Sequence, residues 1–529
     1  MDQPESPQSS SNNHQGKPPI APKKGGLLRS SSIVSAMTLL SRVLGLVRDI
    51  FVASYFGARA DAFFVAFKIP NFFRRLFAEG AFSVAFVPVL SEYKVKDKDV
   101  KALVGAVSGT LLAILGPFTI IAVAAAPILT WIFAPGFADE PEKFALTSEL
   151  LRITFPYLLL ISLTAFYGSV LNTYGEFAIP AVTPVLLNLC LILATYYMTP
   201  WFEEPLMALA WGVMLAGVTQ LVFQLPFVMR LGMLAFPRPA FADTGVRRIM
   251  KLMVPALFGV SVSQINLLLD VLLASFLESG SVSWLYYSDR LAQLPLGVFA
   301  IAIAVVILPS LSQKHAAEDQ KHFTSTLDWG VRMVLLIGLP AALALIALAT
   351  PLMATIFYRG EITAYDVEKM SLSLQAYGAG LLAFMLIKVL APGFYARQDT
   401  KTPVKIGIKA MILNMLLNLA LIFPFAHVGL ALATTLSAYF NAFLLFWGLK
   451  KQGFYQAQEG WGRWVAKLVL ANGLMLSVIW FINPSIELWL SFSEWQRIGW
   501  TSVLVVAGVG VYGATLLVAG IRLRDLKAK

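Results

Sequence analysis

Ser41-Arg42-Val43-Leu44-Gly45-Leu46-Val47-Arg48-Asp49-Ile50-Phe51-Val52-Ala53-Ser54-Tyr55 lies in the first long apolar segment of the chain and carries two arginines. A charge inside a bilayer is expensive, so such residues face a protein interior or a watery cavity. More cations follow at depth: Lys68, Arg74 and Arg75 in the second apolar segment and Arg290 in a later one. A membrane protein that gathers cations in this way is suited to holding an anion.

The surrounding composition makes the segment a membrane span. The chain has 529 residues, 58% hydrophobic and 13% charged, where a soluble domain carries about 25% charged residues. Apolar runs recur from residue 33 to 521 without the alternation of barrel strands, and a spanning helix needs about 20 such residues. The pattern predicts an all-α polytopic membrane protein of about fourteen helices. Their expected positions are 33–55, 61–90, 103–132, 147–172, 178–198, 206–229, 249–277, 282–311, 328–357, 368–394, 404–423, 426–448, 465–482 and 497–520.

Loop charge sets an expected orientation. With the N-terminus inside, the cytoplasmic loops hold Lys94, Lys96, Lys98 and Lys101, then Arg247 and Arg248, Lys314 and Lys321, Arg397 and Lys401, and Lys450 and Lys451. The opposite loops hold Asp139, Glu140, Glu142, Glu203, Glu204, Glu278, Glu487 and Glu494, with Arg59 and Arg359 as exceptions. Both termini are therefore expected in the cytoplasm, and the net charge of +11 follows chiefly from positive-inside loops. Scattered basic residues give no nucleic-acid surface. Residues 1–26, rich in Ser, Pro, Gln, Asn and Gly, read as a disordered cytoplasmic tail.

The opening stretch also has an echo. Asp49-Ile-Phe-Val-Ala-Ser-Tyr55 resembles Asp270-Val-Leu-Leu-Ala-Ser-Phe276, and Pro88-Val-Leu-Ser91 resembles Pro309-Ser-Leu-Ser312 at the same offset of 221 residues. Six expected spans separate the copies, so both have the same orientation. This predicts two six-helix lobes related by a pseudo-two-fold along the membrane normal, 27–232 and 233–452, with two further helices in 453–529. Transporters built from such repeats place their site between the halves. A chance match of apolar segments is the alternative.

Arg42 and Arg48 are six positions apart, about 120° around an ideal helix. A bend at Gly45 between them would aim both into one cavity. Arginine suits phosphate because its planar fork donates two parallel hydrogen bonds. The alternatives are pairing of Arg48 with Asp49 and snorkelling of Arg42. In the second segment Asp61, Lys68 and Arg75 repeat every seven residues, and Asn71 lies three from both Lys68 and Arg74. Self-neutralisation, for instance of Arg75 by Glu79, competes there with ligand binding. Arg290 would complete a cationic ring with Arg42, Arg48 and Arg74, or pair with Asp270. No enzyme signature is present: His14, His315, His322 and His427 are dispersed, Cys190 is the sole cysteine, and no phosphate-loop motif occurs.

These same stretches closely resemble the MurJ/MviN lipid II flippases of bacteria. The resemblance runs from Ser41–Asp49 through Asp61–Asn71, Arg74–Phe82, Ala134–Phe137, Trp284–Arg290 and Lys388–Pro403, and extends from about residue 29 to the end. It implies the multidrug/oligosaccharidyl-lipid/polysaccharide exporter fold. It also implies an undecaprenyl-pyrophosphate-linked disaccharide-pentapeptide as substrate, moved across the inner membrane towards the cell-wall synthesis machinery. The cavity residues it implies are Arg42, Arg48, Asp61, Arg74 and Arg290, supported by Asn71 and Ser283. Gln293 stands where the family pattern has an acidic residue. No cofactor is expected, and coupling to the membrane potential or to an ion is open. The rivals are a cation-coupled drug exporter of the same fold, an exporter of another lipid-linked oligosaccharide, or a membrane enzyme acting on polyprenyl phosphates, which would need an acidic metal-binding constellation that the sequence does not offer.

The orientation is directly testable. Cysteines placed beside Glu140 and Glu203 should react with an impermeant thiol reagent in intact cells, and cysteines beside Lys96 and Lys401 should not. Labelling of the second pair would invert the topology.

Overall fold

The computed structural model describes residues 24–76, 81–96 and 98–521. The tail expected over 1–26 lies outside the described residues apart from its last three, as do Glu79 and the basic residues after 521. Helix lies over the described part of every expected span, and no strand occurs among the described residues.

The first half contains α1 (Lys24–Phe56), α2 (Asp61–Arg74), α3 (Ala81–Val95), α4 (Val100–Ala124), α5 (Ala126–Phe133), α6 (Pro141–Thr154), α7 (Tyr157–Thr173), α8 (Ala178–Leu193) and α9 (Met207–Arg230). The second contains α10 (Thr244–Ala274), α11 (Ser281–Pro295), α12 (Ile301–Ala316), α13 (Gln320–Ala347), α14 (Ala349–Phe357), α15 (Ala364–Tyr395) and α16 (Lys401–Lys451). There follow α17 (Trp461–Ile482), α18 (Ile486–Ser491) and α19 (Glu494–Val518).

Side-chain caps start the helices at their loops. Asp99, Asp243 and Asp319 each accept a backbone N–H of the first turn, and Thr363 with Asp366 and Ser493 with Gln496 form capping boxes. Within a bilayer the remaining backbone groups must be satisfied inside the helix, which excludes long irregular stretches. Nine helical stretches among the described residues are long and apolar enough to cross a membrane, Val100–Ala124 and Pro141–Thr173 among them. Several helices are divided or broken within a span. α4 and α5 part at Ala125, where α5 starts with Pro127 in its first turn. α6 and α7 part at Phe155-Pro156. Conversely, the 51-residue α16 contains two expected spans, because Pro424 and a positive φ of 48° at Ala426 reverse the chain. Asn414 Nδ2 then reaches Ser437 Oγ at 3.4 Å across the reversal.

The repeat extends to the element boundaries. Shifting α2 by 221 residues gives 282–295, against Ser281–Pro295 for α11, and shifting α3 gives 302–316, against Ile301–Ala316 for α12. α4 shifted falls on α13, and α9 shifted gives 428–451, the second limb of α16. Even the wide helical turns correspond, at 75–76 and 296–300. Pro295 lacks the N–H that a regular helix needs, which accounts for the second of these.

The two exceptions to the charge rule are neutralised. Arg59 pairs with Glu204 at 3.0 Å, and Arg359 lies 3.6 Å from Glu494. Exposed Trp201, Trp480 and Trp495 lie at the ends of helices on the side assigned to the acidic loops, as tryptophans do at a membrane–water interface.

α19 is attached through Arg497, which is 7% exposed. Its guanidinium donates to the carbonyls of Ala354 (3.0 Å), Tyr358 (2.6 Å) and Phe492 (3.1 Å), closing the C-terminal end of α14. Arg497→Met should destabilise the protein by roughly 2–4 kcal/mol through the unpaired carbonyls, read as a lower melting temperature in detergent with unchanged insertion. An unchanged melting temperature would remove this anchoring role.

Candidate functional site

α1 runs as one helix through Gly45, so the glycine does not act as the expected break. A methyl group at Gly45 would overlap the Arg290 guanidinium, and one at Gly297 would overlap that of Arg42. The two glycines are notches, each receiving an arginine from the other half of the molecule. α1 thus meets α11 and the wide turn that follows it through guanidinium groups lying on bare backbone.

Asp49 is the centre of this contact. It is fully buried on α1. Oδ1 accepts Arg48 Nη2 at 2.5 Å and Nε at 3.0 Å, and Oδ2 accepts Arg290 Nε at 3.1 Å. The Tyr286 hydroxyl lies 3.3 Å from Oδ1 and itself accepts Arg48 Nη2 at 2.7 Å. Arg48 Nη1 donates to Asn188 Oδ1 at 3.1 Å, and Asn188 in turn donates to the Ser41 carbonyl at 2.9 Å, tying α8 to α1. All three nitrogens of Arg48 therefore hydrogen-bond protein atoms, and its side chain is 12% exposed. Arg290 directs only Nε to Asp49, and its side chain is 32% exposed. Of the two arginines, Arg290 keeps donors for a ligand. Its partner is Asp49; Asp270 instead accepts Asn418 Nδ2 at 2.8 Å.

A cavity of about 460 Å³ opens beside this cluster between the halves. Arg48, Lys68, Arg74, Arg75 and Arg290 line it together with Asn71, Asp289 and Gln293, over aromatic walls from Phe64, Phe67, Phe72 and Tyr286. Five cations face Asp289, the adjoining Asp49, and Asp270 in the recess that shares Lys68, a formal excess of two positive charges. Arg74 Nε donates to Asn71 Oδ1 at 3.0 Å, and Gln293 Nε2 donates to Asp289 Oδ2 at 2.6 Å. Phe64 stacks on Tyr286 with centroids 4.0 Å apart, joining α2 to α11.

The structure thus brings Arg48, Arg74, Arg290 and Asn71 to one cavity, and adds Lys68 and Arg75. Arg42 is set apart, against Gly297, without an ion-pair partner among the described residues. Asp61 and Ser283 are together but elsewhere. The buried Asp61 carboxylate accepts Gly280 N–H (2.7 Å), Ser283 N–H (2.7 Å) and Ser283 Oγ (2.5 Å), so α2 caps the first turn of α11. Lys143 lies 3.5 Å from Asp61, and Gly136 N–H donates to Ser275 Oγ at 3.1 Å beside it. These groups join the halves at the N-terminal ends of α2 and α11. The cap needs both residues in place, which is why they face each other and leave the cavity lining.

Asn188 was not among the expected site residues. Its signal is a lone amide within Val185-Leu-Leu-Asn188-Leu-Cys190. Asp49 was foreseen only as a neutralising neighbour of Arg48; that its second oxygen reaches α11 is a tertiary fact.

The family model described as lipid II flippase MurJ matches residues 52–498. A "probable lipid II flippase MurJ" of Vibrio cholerae is 51% identical over 513 residues, covering 95% of this chain and 98% of that protein. Its counterpart in Haemophilus influenzae is 49% identical over 510 residues, covering 93% and 100%. Among solved structures, a lipid II flippase MurJ in an inward closed conformation superposes with a TM-score of 0.77 at 27% identity, over 93% of this chain and 99% of that one. An inward-facing multidrug resistance MATE family transporter of the MOP superfamily gives 0.65 at 13% identity, over 78% and 94%, a likeness of fold alone.

Asp49→Asn should expose what the shared carboxylate does. Two guanidiniums would then face each other around a neutral amide, and breaking a buried pair costs about 3–5 kcal/mol. We expect lower thermal stability and loss of complementation in a depleted strain. Wild-type stability with full complementation would show that the pairing is dispensable.

Proposed function

The chain belongs to the MurJ family of lipid II flippases, and from that premise we propose that it carries lipid II across the bacterial inner membrane by alternating access, with the pyrophosphate held in the cavity between its halves. The observation that carries this is the cationic lining, Lys68, Arg74, Arg75 and Arg290 beside the Arg48–Asp49 pair, enclosed by membrane helices. Fixed cations stabilise a pyrophosphate where water cannot, and they are in place before the anion arrives.

In this scheme the halves 27–232 and 233–452 are the moving lobes. Arg290 donates to a phosphoryl oxygen with the nitrogens that Asp49 does not engage, and Arg74 and Arg75 provide the opposite wall. Arg48 is a positioning residue that holds Asp49, Asn188 and Tyr286. Asp61, Ser283 and Lys143 form the outer gate, and parting them opens the cavity to the far leaflet. The lipid tail stays in the membrane. It travels along apolar grooves beside the last helices, one of about 520 Å³ lined by Leu335, Leu390, Phe446 and Trp461, another of about 820 Å³ along α17. Both termini are cytoplasmic, and the delivered precursor passes to cell-wall synthesis proteins. Transport needs no bound cofactor; the membrane potential or an ion gradient acts on the charged cavity. A drug exporter of the same fold, handling cationic substrates, would require a cavity with the opposite balance of charge.

Purified Arg290→Gln should bind lipid II at least about tenfold more weakly, the loss expected for a charge-assisted hydrogen bond, and should melt at a lower temperature because the buried Asp49 loses one of its two guanidiniums. Arg48→Gln should lower the melting temperature as well. If Arg290→Gln folds and binds lipid II normally, the cavity is not the pyrophosphate site.

A further inference from the structure

A second chamber, of about 500 Å³, lies within the first half between α7, α8 and α9, and shares Arg74 and Leu187 with the cationic cavity. Its chemistry differs. Ser169, Asn172, Thr183, Gln220 and Gln224 line it with hydroxyls and amides, and Arg74 at the common wall is the one charged side chain among its described lining residues. Part of this lining is fixed by the protein. Gln220 Nε2 donates to the Thr183 carbonyl at 2.7 Å, Tyr157 OH donates to Gln220 Oε1 at 3.3 Å, and Ser169 donates to the Ala165 carbonyl at 3.0 Å.

Gln224 is different. The residue is 1% exposed, yet its Oε1 has no hydrogen-bond partner among the described residues. A buried acceptor without a donor is unfavourable and calls for an explanation. A donor arriving with a ligand would supply one. The lining restricts what that ligand is. A phosphate or carboxylate would need more cations than Arg74. An apolar chain would strand the amides. The charged termini of a peptide would lack counter-charges. Sugar hydroxyls and amide groups match the lining in kind.

We infer that this chamber receives the sugar attached to the pyrophosphate, with a sugar hydroxyl or amide N–H donating to Gln224 Oε1 while the pyrophosphate rests against Arg74 and Arg290. This rests on the reading of the cationic cavity given above. It divides the head group between two compartments: charge selects the pyrophosphate, and neutral hydrogen bonds select the saccharide.

The test uses the full chain in nanodiscs with two probes, lipid II and undecaprenyl pyrophosphate, which has the same anion and tail without sugar. The wild type should bind lipid II more tightly. Gln224→Met removes the acceptor at similar length, and it should weaken lipid II binding about tenfold while leaving undecaprenyl pyrophosphate unchanged. Asn172→Leu alters an exposed lining position and should act in the same direction, which keeps the test decisive if Gln224→Met misfolds. Equal wild-type affinity for the two probes, equal losses for both probes in the variants, or wild-type lipid II binding by Asn172→Leu would each overturn the sugar chamber. Arg290→Gln separates the two proposals, since it should weaken both probes alike. If it leaves both intact while Gln224→Met still loses discrimination, the cationic reading fails and the chamber stands.

Discussion

One carboxylate, Asp49, organises the interior of this protein. It is buried in the first membrane helix and binds one guanidinium from its own helix and one from the opposite half. Burying a lone charge in a membrane is prohibitive, so neither Arg48 nor Arg290 is tolerable without it, and Asp49 is intolerable without them. The three groups fix how α1 approaches α11. Because the surplus charge is positive, they also give the adjoining cavity its sign.

The contact is made largely of side chains laid on glycine, at Gly45 and Gly297. An interface of interlocked aliphatic side chains would resist separation through many dispersion contacts at once. A few hydrogen bonds over bare backbone can be exchanged for bonds to water or to an anionic ligand as the halves move. The opposite end has the same character, with Asp61 holding the first turn of α11 through three hydrogen bonds. Both ends of the boundary between the halves thus carry polar groups, beside one apolar cluster that runs through both halves and a second that lies largely within the first.

The MATE family likeness is one of backbone alone. On the proposed reading, the five cationic side chains on one cavity are what favours a diphosphate over a cationic substrate. Neutral amides and hydroxyls in the adjoining chamber favour neither charge. On that reading, selectivity comes from side chains at the boundary between the halves.

The sequence by itself determined the helical membrane architecture, the 221-residue repeat and the kinds of charge at the centre. It did so because the bilayer fixes helix length and composition, and because a buried cation is too costly to occur without a use. Arg74 and Arg290 could be assigned to one cavity from pattern and resemblance alone. Pattern could not decide partners. Arg48 and Arg290 look alike in sequence, and only the packing of α8 and α11 gives the first Asn188 and Tyr286 and leaves the second open to a ligand. Gly45 resembled a hinge because low helix propensity is a local property, whereas its use as a notch for Arg290 depends on a helix 245 residues further along the chain. Asp61 and Ser283 resembled cavity residues for the same reason. Local sequence states which groups are polar, and tertiary structure alone determines which polar groups satisfy one another and which remain for the substrate.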